Sequence, residues 1–268
     1  MKSVKIPVPF HFGPAAQPLF GCYHEPDLAR RRQCAVIICQ PIGHEYINCH
    51  RALRQLAVRL AEVGFPVLRF DYYGCGDSSG NAEAGTISRW LEDISEAIFQ
   101  VKQRSKLDTV CIAGLRLGGA LAAMLGAERG DIESMLLWDP VVDGKSYLED
   151  LQLLQKEQMR SRPKPGRRER AQEHLEILGF PFTHALYSQV QEIKLRAITR
   201  RPAKNMFMIQ SRTSDQGRGA ELFNLTESNW EYQALPIPQI WLPTTNGSLL
   251  VPGQALQSIV SWTCRMHS

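Results

Sequence analysis

The chain has 268 residues, 44% of them hydrophobic and 22% charged, with a net charge of +4. This suits one α/β domain with insertions, and so mild a charge does not mark a nucleic-acid binder. No apolar run approaches the roughly 20 residues that span a bilayer. The seven cysteines show no C-x-x-C pair and no metal-ligand spacing, so the expectation is a cytoplasmic protein with reduced thiols and no metal or other cofactor.

The opening "MKSVKIPVPF" alternates like a strand and carries proline early, unlike a signal peptide. Residues 3–9 and 18–24 read as an antiparallel pair. Near-continuous hydrophobic runs follow at 34–41, 65–74, 109–115 and 134–140, the pattern of strands buried on both faces of a parallel sheet. Helical stripes lie between them. One covers 48–63 through Leu53, Leu56, Ala57 and Leu60, with Gly64 at the C-terminal end. A second covers 86–104 through Ile87, Trp90, Leu91, Ile94, Ile98 and Val101. The small-residue stretch "GGALAAMLGAERG" is a third helix that can pack close to a sheet. Strand–helix alternation of this kind predicts a doubly wound, mainly parallel α/β fold.

The rhythm breaks over 145–200, where helical pieces at 146–158, 167–178 and 184–199 flank "RSRPKPGRR". This segment is expected as a helical cap on a core made of 1–144 and 201–268. Its basic run, Arg160, Arg162, Lys164, Arg167, Arg168 and Arg170, reads as a solvated loop or as a docking patch for an acidic partner such as a carrier protein. Strands at 205–211 and 237–243 and a helix at 253–264 complete the chain.

The chemistry concentrates in "AGLRLGGA". Gly114-Leu115-Arg116-Leu117-Gly118 has the G-x-S-x-G spacing of a nucleophile elbow, a strained strand-to-helix turn, with Arg116 where the serine belongs. Glycines are required because side chains at 114 and 118 would collide with helix or strand. The Leu117 N–H at the helix start, with a second donor from Ile42 or Gly43 in "QPIGHEY", would form an oxyanion hole.

With these motifs in place, the chain resembles the α/β-hydrolase superfamily, within its serine aminopeptidase-like group, and is similar to bacterial hydrolase-like proteins associated with exosortase systems. The matching stretches are "QPIGHEYINCHRALRQLAVRLAEVGFPVLRFDYYGCGDSSG", "GLRLGGALA", "LWDPVVDGKSYL", "LGFPFTHAL" and "ALQSIVSW". The resemblance implies a cap after the sixth strand and a site at the C-terminal strand ends beneath it. It also implies esters, thioesters or a biosynthetic intermediate as substrate class.

The remaining members of a triad should follow in the order acid, histidine. Asp215 after the seventh strand and Asp139 after the sixth are candidates for the acid. The loop after the last strand offers Asn246 and no histidine; His267 is in the tail and His184 in the cap. Nucleophile and base are both missing, and a guanidinium that stays protonated cannot attack a carbonyl. Conventional serine hydrolysis is therefore excluded.

Arg116 could anchor a ligand carboxylate, or it could form an internal ion pair with Asp139 or Asp215. His44 could serve as general base with Glu45 or Asp77 orienting it, or it could cap the helix beginning near 48. Cys75 is an alternative nucleophile or simply a small residue in a Gly-rich turn. Asp77 and Ser78 fit local loop hydrogen bonds, and Tyr72 and Tyr73 are candidate pocket walls. Three readings stay open: an acyl-ester or thioester enzyme working by another route, a non-catalytic binder of a small anionic ligand, and a docking protein for an acidic partner.

Overall fold

The computed structural model describes residues 6–160, 175–211, 222, 229–244 and 250–268. Eight strands form one sheet: β1 (Val8–Phe12), β2 (Leu19–His24), β3 (Ala35–Cys39), β4 (Val67–Phe70), β5 (Val110–Leu115), β6 (Ser134–Trp138), β9 (Asn205–Gln210) and β10 (Trp230–Ala234). A separate hairpin, β7 (Leu175–Ile177) and β8 (Phe180–Phe182), precedes β9 in the chain. The order across the sheet is β1-β2-β4-β3-β5-β6-β9-β10. β1 pairs antiparallel with β2, and β2 with β4; every other neighbour is parallel. β3, β5 and β6 are buried at every position, as strands covered on both faces must be.

Helices cover both faces. α1 (Gly43–Glu62) and α6 (Gly253–Met266) pack one side, where Leu56, Leu60, Ile259 and Trp262 join the strand residues Val36, Leu136 and Phe207. On the other side lie α2 (Ile87–Ser105), capped by the Thr86 hydroxyl, and α3 (Leu117–Arg129). α4 (Gly144–Arg160) and α5 (His184–Gln191) fall between β6 and β9. Among the described residues no helix is long and apolar enough to cross a membrane.

Several boundaries differ from the sequence reading. The expected strand at 237–243 is absent, and β10 lies at 230–234 instead. Pro236, Pro238 and Pro243 supply no amide hydrogens, so that stretch cannot join a ladder. The first strand sits at 8–12, so residues 6 and 7 of the expected 3–9 lie outside it, and 3–5 fall outside the described residues. α1 starts at Gly43, five residues before the expected start at 48. Of the helix expected over 167–178, residues 167–174 lie outside the described residues, and 175–177 form β7. The Leu178-Gly179 turn joins β7 to β8 with both residues at positive φ (55° and 85°), the backbone of a type I′ hairpin. The helix expected over 184–199 ends at Gln191. Beyond it the Ile193 carbonyl accepts from Gly144 and the Leu195 amide donates to Val142, which ties the chain to the start of α4.

The elbow depends on close backbone approach. A Cβ on Gly114 would lie 2.5 Å from the Gly119 Cα, and one on Gly118 would run into the carbonyl oxygens of Cys39 and Gln40. Neither obstacle can move, because both are backbone inside the sheet-helix packing. Gly118→Ala is therefore expected to cost about 3 kcal/mol of stability, the upper end for overpacking. Urea denaturation checks it, and an unchanged midpoint would contradict this packing.

Candidate functional site

Arg116 occupies the turn between β5 and α3 at φ 53° and ψ −123°, a strained conformation for a residue with a Cβ. Its amide donates to the Trp138 carbonyl, and its own carbonyl accepts from Gly119, Ala120 and Val141, so the surroundings hold the strain in place. The side chain turns to α1. Nε donates to Glu45 Oε1 at 2.9 Å, while Nη1 reaches the Asp139 carbonyl at 3.4 Å. Glu45 is 2% exposed and Arg116 16%, and the Tyr147 hydroxyl of α4 donates to the second carboxylate oxygen at 3.0 Å. The guanidinium carbon lies 4.6 Å from the Trp241 ring centre and 5.4 Å from that of Tyr147. Burial works against the charge, but Glu45, Tyr147 and Asp139 outweigh it and hold the Arg116 pKa above its ordinary value.

The carboxylate that pairs with Arg116 among the described residues is thus Glu45, and not Asp139. The Asp139 carboxylate turns away and accepts from the Ser211 amide, with both oxygens at 3.1 Å, and from its hydroxyl. Ser211 in turn accepts from Trp138 Nε1 at 3.0 Å. Burial raises the Asp139 pKa, while the Ser211 bonds and Arg116 pull it back. Asp215 and Asn246 lie outside the described residues, as do Arg162, Lys164, Arg167, Arg168 and Arg170.

The early start of α1 places His44 and Glu45 in its first turn, so His44 does not cap a helix beginning near 48. The Asn48 amide nitrogen lies 3.2 Å from His44 Nε2 and donates to the Trp241 carbonyl at 2.9 Å. His44 Nδ1 is buried without a partner among the described residues. Burial lowers the His44 pKa, with an opposing pull from Glu45. A gap of about 10 Å³ between His44, Glu45, Tyr147 and Phe180 holds a single water at most. Leu117 and Gly43 each begin a helix, so their amides lack intrahelical acceptors, as an oxyanion hole needs. Phe180 covers that opening, since a Cβ on Gly43 would lie 3.3 Å from its ring.

Beside the elbow lies a cavity of about 220 Å³ between Ile42-Gly43, the Gly74-Cys75-Gly76 turn and Phe180 and Phe182 of the hairpin. Cys75 lines it, but burial pushes the thiol up to about 12, so it stays protonated and unactivated. Tyr72 does not reach this wall: it is fully buried against Phe70 and Trp90. Tyr73 packs under Arg89 and donates its amide to Asp93 at 2.7 Å. Ser78 bridges the Phe20 amide and the Asp71 carbonyl, the loop-holding role read from sequence, and Asp77 gives its amide to Asp71. His50 and His184 are exposed, and His267 stacks edge-on to Phe65. Among the described residues no three His, Cys, Asp or Glu are grouped to hold a metal ion.

Sequence reasoning missed Tyr147 and Trp241 as partners of Arg116, and Gln40, Tyr46 and Asp71 beside the cavity. Only Gln40 and Asp71 carried a local signal, being polar residues directly after the buried strands β3 and β4. Trp241 was hidden by its assignment to a strand.

The comparisons with known proteins agree with this geometry. The family model described as serine aminopeptidase, S33, matches residues 35–213. Monoglyceride lipase from Saccharomyces cerevisiae, as a soluble variant in complex with a substrate analog, superposes with a TM-score of 0.69 at 12% identity, covering 100% of this chain and 98% of that one. Est1E from Butyrivibrio proteoclasticus, with ferulic acid bound, gives a TM-score of 0.68 at 16% identity over 96% and 98%. An esterase from Pyrococcus furiosus gives 0.64 at 14% identity over 98% and 91%. At these identities the likeness is one of fold: all share the α/β-hydrolase architecture. An uncharacterized protein of Saccharomyces cerevisiae is 49% identical over 53 residues, so the chain spans only 16% of that relative's length.

Two outcomes follow from the site's charges. Removing either partner of the buried pair, by Arg116→Met or Glu45→Leu, is expected to cost about 3 kcal/mol, and the double substitution to recover most of it. Denaturant titration of the three variants reads this directly, and near-neutral single variants would show the pair to be idle. Burial also raises the Asp93 pKa to about 6. The folded state then takes up this proton before the unfolded state does, so Asp93 adds stability as pH falls through 6 towards 4. Asp93→Asn should remove that gain relative to the parent protein, and identical pH profiles would contradict the shift.

Proposed function

The chain belongs to the serine aminopeptidase S33 family, and from that premise we propose that it is a non-catalytic member, one that binds a small molecule beside an elbow closed by an internal ion pair. Within the family we place it in the branch associated with exosortase systems, on the motifs quoted above. In this reading residues 145–200 form a cap over a core of 1–144 and 201–268.

The observation that carries the reading is the Arg116–Glu45 contact at 2.9 Å, locked by Tyr147. A protonated guanidinium has no lone pair with which to attack an acyl carbon. Nor does it stand open to a ligand carboxylate, which would first have to displace a buried one. The loop after β10, where a histidine would sit, instead lays Trp241 on the guanidinium. His44 offers no substitute base: its Nε2 lies beside an amide donor, its Nδ1 is buried, and the gap that it borders has no room for substrate.

The test is turnover of p-nitrophenyl esters and acyl-thioesters of graded chain length, together with labelling by a fluorophosphonate probe. Neither turnover nor labelling above buffer background is expected, and Arg116→Ser alone should restore neither. Turnover by the parent protein that disappears in Arg116→Ala would overturn the proposal in favour of an enzyme working by another route.

A further inference from the structure

Resting on that binding reading, we propose that the cavity takes a neutral, mainly apolar group carrying a single hydrogen-bond donor, of the size and chemistry of an alkyl-substituted phenol. Its bulk walls are Trp90, Phe180, Phe182 and Leu186, and its volume is about 220 Å³. An apolar cavity of roughly 150 Å³ accepts benzene, so a ring with a short substituent fits here.

The polar end of the cavity is set by Asp71, which is 8% exposed. One carboxylate oxygen accepts from Gln40 Nε2 at 2.8 Å and from the Tyr46 hydroxyl at 3.3 Å, and the other from the Asp77 amide at 3.0 Å. A carboxylate only accepts, so Gln40 must turn its amide nitrogen to Asp71, and Tyr46 must spend its proton there. What Gln40 and Tyr46 retain is acceptor capacity: the amide Oε1 and the phenolic oxygen. No described residue donates to either. Burial and the neighbouring Asp71 push the Tyr46 pKa up, so that oxygen stays neutral.

Acceptors backed by a buried carboxylate call for a donor and disfavour an anion. Arg116, whose cation would suit an anion, does not line this cavity. The ligand class is therefore set by two oxygens with nothing to accept, and not by the arginine that dominates the sequence. A donor group is preferred over its methyl ether by the value of one hydrogen bond, on the order of tenfold in affinity.

Calorimetry on the full chain with 4-propylphenol, 4-propylanisole and 4-propylbenzoate separates the cases. The phenol is expected to bind about tenfold more tightly than the anisole, with the benzoate weakest. Gln40→Met keeps the apolar walls but should reduce the phenol–anisole ratio to about threefold or less. Should that variant fail to fold, Tyr46→Phe reads the same loss. Cys75→Phe, which fills the cavity, should abolish binding of all three probes. Equal affinities for phenol and anisole, or a preference for the benzoate, would overturn the ligand class while leaving the binding reading in place. Phenol binding that survives Cys75→Phe would overturn the location. No binding by any probe would overturn both inference and reading.

Discussion

A single buried positive charge organises the functional end of this molecule. The guanidinium at the elbow cannot be discharged and is mostly removed from water, so it requires a counter-charge, and Glu45 supplies one at 2.9 Å. That requirement reaches well beyond two residues. Glu45 must lie in the first turn of α1, Tyr147 must bring α4 down to hold the second carboxylate oxygen, and the loop after β10 must place Trp241 against the cation. Three chain segments distant in sequence thus converge on one side chain. The turn beneath it is strained at φ 53°, and its backbone hydrogen bonds to β6 and α3 keep it so.

The same requirement divides the strand ends into two environments. On the Arg116 side the cation is paired with Glu45 and sealed by Tyr147 and Trp241, with hardly space for water. On the Cys75 side the walls are aromatic and aliphatic, and the polar groups are neutral acceptors around Asp71. Ile42-Gly43 borders both, because the loop after β3 runs directly into α1. A fold that ordinarily joins a polar reaction centre to an apolar binding region here keeps them physically apart.

The architecture was legible because it is written in periodicity. β3, β5 and β6 are near-continuous apolar runs, α2 carries an unbroken stripe, and the glycines at 114 and 118 mark a backbone contact that tolerates no side chain. Boundaries failed where tertiary bonding overrode local pattern. The "IPQIWLP" run looks like a strand, but its prolines cannot pair, and the half-exposed "WEYQA" became the edge instead. At the site, the arginine at the centre of the elbow could be read directly, whereas its partner could not. Asp139 is a reasonable acid by chain order, and Asp215 lies outside the described residues. Yet Glu45 is selected by the rotation of a helix whose start the stripe of apolar residues placed five positions too late. Tyr147 and Trp241 join the site only through three-dimensional convergence, which no local spacing encodes.

On the non-catalytic reading proposed above, the Arg116–Glu45 contact would also act as an evolutionary ratchet. Suppose a descendant regained serine at 116: the Glu45 carboxylate would then be stranded in the interior without a cation, and the fold would lose stability before any chemistry returned. Restoring the carboxylate to water would require a further change in α1, and a base would still be missing from the last loop. Each step towards an enzyme lowers stability unless the others have already occurred. On that reading, a buried charge that has gathered its own partners at the elbow would be held there by folding thermodynamics, independently of any use the protein has for catalysis.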